Sequence, residues 1–152
     1  MDDRKLWRNF LSQSSLAAAT VFLVLFVITI ENSVVITAIG ATAFIVFAMP
    51  KSITARSRNV IGGHLIGLTL GSLCALIPQP SFLYSAFAYS LAVGLSTLTM
   101  VITDTEHPPA ASTALGVAIT GFSLSVAVAV ITSVTLLSLA HRTLRPFLKD
   151  LV

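Results

Sequence analysis

The chain has 152 residues, 55% of them hydrophobic and only 10% charged, with a net charge of +3. A soluble domain carries about 25% charged residues, whereas no Asp, Glu, Lys or Arg lies between Arg58 and Asp104 or between Glu106 and Arg142. Each gap exceeds the roughly 20 residues that cross a bilayer as helix, which argues against a soluble protein and predicts an all-α, polytopic helical membrane protein in contact with lipid. The basic residues flank apolar stretches, where anionic headgroups account for them, so the positive charge does not point to nucleic acid.

Residues 1–10 read as a polar, basic N-terminus with Trp7 placed as an interfacial anchor. It is short and acidic at its start, unlike a transit peptide, and the apolar run after it lacks a small-residue cleavage site. Residues 11–140 read as the transmembrane domain. Its first helix is predicted from about Leu11 to Ile30, broken by Glu31-Asn32-Ser33. The next apolar segment, Val34 to Met49, is short, about 24 Å at the helical rise. Pro50 ends it, and Lys51 to Arg58 form a basic loop.

A third helix is predicted from about Asn59 to Ile77. Its Gly62, Gly63, Gly67 and Gly71 include two small-xxx-small steps that permit close helix packing, and they predict self-association through glycine-rich faces. Pro78-Gln79-Pro80-Ser81 then turns into a fourth helix, Phe82 to about Thr103. After a polar break come a short segment, Ala110 to Ile119, and a last helix from about Phe122 to Ala140. Residues 141–152 form a basic C-terminus containing His141, Arg142, Arg145 and Lys149. Cys74 is the single cysteine, which leaves no disulfide framework and no thiolate metal site.

The polar break, Thr103 to Ala114, concentrates the chemistry. His107 precedes proline and is expected to be extended; Pro108 and Pro109 suit a first helical turn, where their missing N–H groups cost nothing. The first free backbone donors then belong to Ala110, Ala111 and Ser112, at a helix start that favours an anion. Thr113 and, in the earlier short segment, Gly40, Ala41 and Thr42 complete a candidate anion site. The hydroxyls of Thr42, Ser112 and Thr113 can equally bond back to their own helical turns. His107 and Asp104 are candidates for proton coupling, though His107 can also serve as a helix-entry residue bonded to backbone. Arg58 and His64 are candidates for drawing anions to an inner mouth. Against this stand a snorkelling arginine and an interhelical hydrogen bond from His64. No pattern for a catalytic site, a metal site or a cofactor appears, and the chain is not expected to be an enzyme.

Two motifs carry a resemblance. His107-Pro108-Pro109-Ala110 followed by Ser112-Thr113-Ala114-Leu115, and upstream Gly40-Ala41-Thr42-Ala43, Phe47-Ala48-Met49-Pro50 and Arg58-Asn59-Val60-Ile61-Gly62-Gly63-His64, resemble the signature of the HPP family of integral membrane proteins. The sequence departs from that signature at Ile53-Thr54-Ala55-Arg56-Ser57, where a proline-rich segment is usual. The resemblance covers nearly the whole chain and implies transport of nitrite, which plastid and cyanobacterial members are associated with. The residues themselves point to a small, anionic solute. The alternative class is a membrane anchor or sensor that transports nothing.

Both halves of the domain, residues 11–77 and 82–140, follow one plan of long, short and long helix. A shift of 71 residues lays Gly40-Ala41-Thr42-Ala43 over Ala111-Ser112-Thr113-Ala114, although identities over the rest are few. Short segments in corresponding positions of two halves point to a transporter's binding site. The basic clusters Arg4/Lys5/Arg8, Lys51/Arg56/Arg58 and Arg142/Arg145/Lys149 share one side only if both short segments cross the membrane. That gives six crossings in two inverted halves, with both termini cytoplasmic in a plasma or inner membrane, and the N-termini of the short helices approaching near its middle. Re-entrant short segments would instead leave four spans.

Overall fold

The computed structural model describes residues 3–28 and 33–152, so Glu31 and Asn32 of the first predicted break lie outside the described residues. Among the described residues six α-helices follow one another: α1 Asp3–Ile28, α2 Ser33–Ala48, α3 Ser57–Ala75, α4 Phe82–Ile102, α5 Pro108–Thr120 and α6 Leu124–Leu144. Among the described residues three stretches, Trp7–Val27, Phe82–Ile102 and Leu124–Phe147, are long and apolar enough to cross a membrane. The 19-residue α3 is not among them. It carries Asn59 and His64, and both side chains are buried inside the bundle. At 16 and 13 residues, α2 and α5 are the short pair.

The helix ends follow local chemistry. Ser123 caps α6 by accepting a hydrogen bond from the Val126 N–H at 3.2 Å. Pro108 opens α5 behind an extended His107, φ −145° and ψ 96°, as a residue before proline must be. Gly121, at φ 79°, closes α5 in a conformation that side chains disfavour. Asp104 takes the same role after α4 at φ 50°, where a short polar side chain is tolerated.

Helix direction alternates. The Pro50 carbonyl accepts from His141 Nε2 at 2.9 Å, and the Arg58 guanidinium donates to the Thr103 carbonyl at 2.6 Å. The buried Gln13 carboxamide donates to the carbonyls of Phe47 and Lys149 and accepts from the Lys149 N–H. Thus the start of α1, the ends of α2, α4 and α6 and the starts of α3 and α5 meet at one end, where the second and third basic clusters also lie. This is the arrangement that six inverted passes require.

Close pairings exist between α3 and α5, α3 and α4, α4 and α5, α3 and α6, α2 and α5, α1 and α2, α2 and α6, and α1 and α6. Exchanging α1, α2 and α3 for α4, α5 and α6 turns this set into itself. The tightest pairing is parallel, α3 against α5. A Cβ on Gly63 would lie 2.9 Å from the Cβ of His107, one on Gly67 would overlap the Ala110 carbonyl, and one on Gly71 would meet the Ala114 carbonyl. The glycine face anticipated from the sequence is therefore covered within the chain by α5. Self-association through that face is corrected accordingly, because no room is left for a second copy.

Candidate functional site

Four polar side chains from three helices and one helix entry meet in the interior. Thr42 lies on α2, His64 on α3, His107 at the entry of α5 and Thr113 one turn and a half further along α5; none is more than 2% exposed. His64 is held at both ring nitrogens, by Thr113 Oγ1 at 2.8 Å from Nδ1 and by Thr42 Oγ1 at 2.9 Å from Nε2. Thr42 Oγ1 also lies 3.0 Å from His107 Nε2, and His107 Nδ1 donates to the Thr54 carbonyl at 2.8 Å. The imidazole centroids are 5.1 Å apart, tilted by 53°. The result is an unbroken chain of hydrogen bonds, Thr113–His64–Thr42–His107–Thr54.

Local structure explains how this cluster assembles. Gly63 and Gly67 let α5 sit on the α3 backbone, which brings His64 to the level of Thr113. The turn that ends in Ala55 carries the Thr54 carbonyl over His107. Asn59 Nδ2 donates to the Glu106 carbonyl at 3.1 Å and fixes the chain just before His107. Buried polar groups are costly unless paired, and here every ring nitrogen has a partner. Thr42 and Thr113 are also the two threonines that coincide under the 71-residue shift, so matching positions in the two halves grip opposite edges of one imidazole.

The remaining candidates are distributed differently. Ala110 N–H is already bonded to the His107 carbonyl at 2.9 Å, and the Ala110 side chain is fully buried against the glycine seam. Ala110 is therefore not a free donor. Ala41 and Ser112 line an open groove between α2 and the start of α5, with Phe44, Ile45, Pro108 and Pro109. Ala111 is half-buried, and Gly40 is exposed with open space where a Cβ would stand. The start of α5 meets the middle of α2, nine residues beyond Ser33, and not its N-terminus as the sequence reading placed it. The reason is that the two short helices run antiparallel with the α5 start level with Thr42.

Asp104 is exposed at the end of α4, outside the histidine cluster, and Arg58 reaches across to the same helix end. His64, expected at an inner mouth, stands instead at the centre of the buried cluster. Its apolar surroundings, and the absence of any other charge along α3 beyond Arg58, were the available sign that it needed polar partners. Gln13 and the Thr54 carbonyl escaped the sequence reading; a backbone acceptor leaves no trace in residue identity, and a glutamine near a helix start reads as ordinary surface. Among the described residues no group of three His, Cys, Asp or Glu side chains is arranged to hold a metal.

The family description "HPP, transmembrane region" matches residues 3–145. Two transmembrane proteins of Dictyostelium discoideum are similar over part of their length. One is 36% identical over 85 residues, 56% of this chain and 30% of the relative. The other is 32% identical over 90 residues, 58% of this chain and 29% of the relative. The matched region thus spans about three tenths of these relatives. No solved structure matches the chain significantly.

Proposed function

Because the chain belongs to the HPP transmembrane family, we propose that it moves a small inorganic anion across a membrane, nitrite being the ion that its resemblance implies. The observation that carries this reading is the buried Thr42–His64–His107–Thr113 cluster. The two imidazoles hold three helices together, and their ring nitrogens and the threonine hydroxyls are also donors that an anion can use. Imidazole and hydroxyl donors in apolar surroundings bind an anion more strongly than they would in water. Neither α2 nor α5 carries a carboxylate that would repel one. The groove at Ala41 and Ser112 adjoins the cluster through the neighbouring residues Thr42 and Thr113. Lys51, Arg56 and Arg58 raise the local anion concentration at the same end of the bundle, which we place at the cytoplasmic face.

Nitrite uptake into proteoliposomes tests the reading. Wild-type protein is expected to give saturable flux. Ser112→Val is expected to lower it several-fold by making the groove apolar, and His107→Ala to abolish it, with insertion intact. Folded wild-type protein that passes no anion would leave the anchor or sensor role; saturable flux untouched by either substitution would move the pathway elsewhere.

A further inference from the structure

We infer that Thr42, His64 and His107 form a one-proton switch, in which the Thr42 hydroxyl turns between a side-chain and a backbone acceptor as His107 gains or loses a proton. The inference builds on the site just proposed for transport. It supplies that site with a second cargo, the proton, and with a residue that registers its arrival.

The donor arithmetic is closed by backbone carbonyls, which only accept. The Thr54 carbonyl requires hydrogen on His107 Nδ1. In the neutral ring His107 Nε2 is then an acceptor, and the group facing it is the Thr42 hydroxyl at 3.0 Å. Thr42 has one hydrogen. Giving it to His107, it receives the N–H of His64 Nε2, and His64 Nδ1 accepts from the Thr113 hydroxyl. Every bond in the chain then points the same way, from Thr113 towards Thr54.

A second acceptor stands ready. The Ala38 carbonyl is 2.8 Å from Thr42 Oγ1. When a hydronium ion gives a proton to His107 Nε2, one O–H bond of the hydronium breaks and leaves water, one N–H bond forms, and no other covalent bond of the protein changes. Thr42 turns its hydrogen to Ala38, and its two lone pairs accept from His107 and His64 together. No polar atom is orphaned in either state. A second proton would place two cations 5.1 Å apart in an apolar interior, where an unpaired charge is already costly. The capacity of the switch is one.

Among the described residues no charged side chain is hydrogen-bonded to the cluster. Helices α2 and α5 have no titratable residue, α4 has only Tyr84 and Tyr89, and Cys74 lies ten positions along α3 from His64. Arg58 is engaged at the Thr103 carbonyl and His141 on α6 at the Pro50 carbonyl. Arg56 and Asp104 are exposed, and Glu106 is half-buried next to His107 in sequence. Positive charge therefore appears in the core only with the added proton, and an anion seated beside the cluster neutralises it. One proton would accompany one monovalent anion.

Nitrogen-15 NMR of histidine-labelled protein in lipid nanodiscs, with and without His141→Asn to identify the third ring, tests the switch. Neutral His107 is expected as the Nδ1–H tautomer and His64 as Nε2–H, with one ring gaining a proton as the pH falls. Thr42→Ser is expected to keep this pattern. Thr42→Val removes the bridge and should convert His64 to Nδ1–H, donating to Thr113. His107 found as Nε2–H, both rings protonating in one step, or a Thr42→Val spectrum identical to wild type would each overturn the inference. The wild-type spectrum decides even where a variant fails to fold. Nitrite flux with no proton uptake would remove the switch and leave transport standing. The expected tautomers with no flux would do the reverse.

Discussion

The two halves of the molecule meet along seams built from opposite materials. Where α3 meets α5, the contact is glycine on alanine: Gly63, Gly67 and Gly71 lie against the backbone at Ala110 and Ala114, and Cys74, Ala92 and Ala118 extend the same small-residue layer towards α4. Where α6 meets α2, the corresponding contact is made by Ile39, Val46 and Phe47 against Val126, Val130, Val134 and Leu137. Pairing order is the same on both sides, yet α6 contains no glycine. In a membrane, lipid is as apolar as leucine, so helices are held by close packing and hydrogen bonds more than by escape from solvent. The glycine seam brings backbones together and thereby sets the spacing of the histidine cluster. The large-residue seam mainly fills volume, and the buried Ser133 and His141 of α6 bond to backbone carbonyls.

This difference orders the expected effects of mutation. Gly67→Leu should be the most damaging, because its Cβ alone overlaps a backbone carbonyl that cannot move aside. Overpacking costs about 1–3 kcal/mol where side chains can give way, and here folded monomer should be lost, measured as detergent-solubilised protein by size-exclusion chromatography. Phe47→Ala on the other seam should cost about 2 kcal/mol, less than in a soluble core because lipid replaces part of the lost environment. Reversible unfolding in mixed micelles would measure it. Gln13→Ala should cost about 1–2 kcal/mol by leaving the Phe47 and Lys149 carbonyls without their donor, and should expose residues 148–151 to protease. Gly94→Ala, where nothing lies within 4 Å of the new methyl, should change stability by less than about 1 kcal/mol and in the favourable direction. Equal losses at Gly67 and Gly94 would mean that the seam has no special status.

Much of the fold was legible because its causes are local. The six apolar runs, the proline that opens α5, the glycine that closes it and the glycine face of α3 all appear in residue order. So did the nearness of Thr42, Thr113 and His107, which join one hydrogen-bonded cluster. What the sequence did not disclose was partnership. Glycines at four-residue spacing announce a close neighbour without saying whether it belongs to the same chain, and α5 proved to be that neighbour. His64 is 49 residues from Thr113 and 22 from Thr42, so only the assembled seam shows that it bridges them. The backbone donors at Ala110 looked free by counting from the prolines, but a short turn to the His107 carbonyl consumes the first of them.

Gln13 has a consequence for the order of events in folding. Its carboxamide joins α1 to Lys149, 136 residues away, while Leu151 N–H bonds to the Ala48 carbonyl and Asp150 accepts from the Lys51 N–H. These contacts fasten α1 and the end of α2 to residues 149–151, which are made far later than either helix. During synthesis at about 5–20 residues per second, α1 enters the bilayer long before its fastening exists and must wait roughly ten seconds or more beside a partly built bundle. Until then α1 is held by its apolar contacts and by the Gln13 bond to the Phe47 carbonyl. The window is one in which insertion factors or lipids can still correct its orientation, and it shuts when Lys149 arrives.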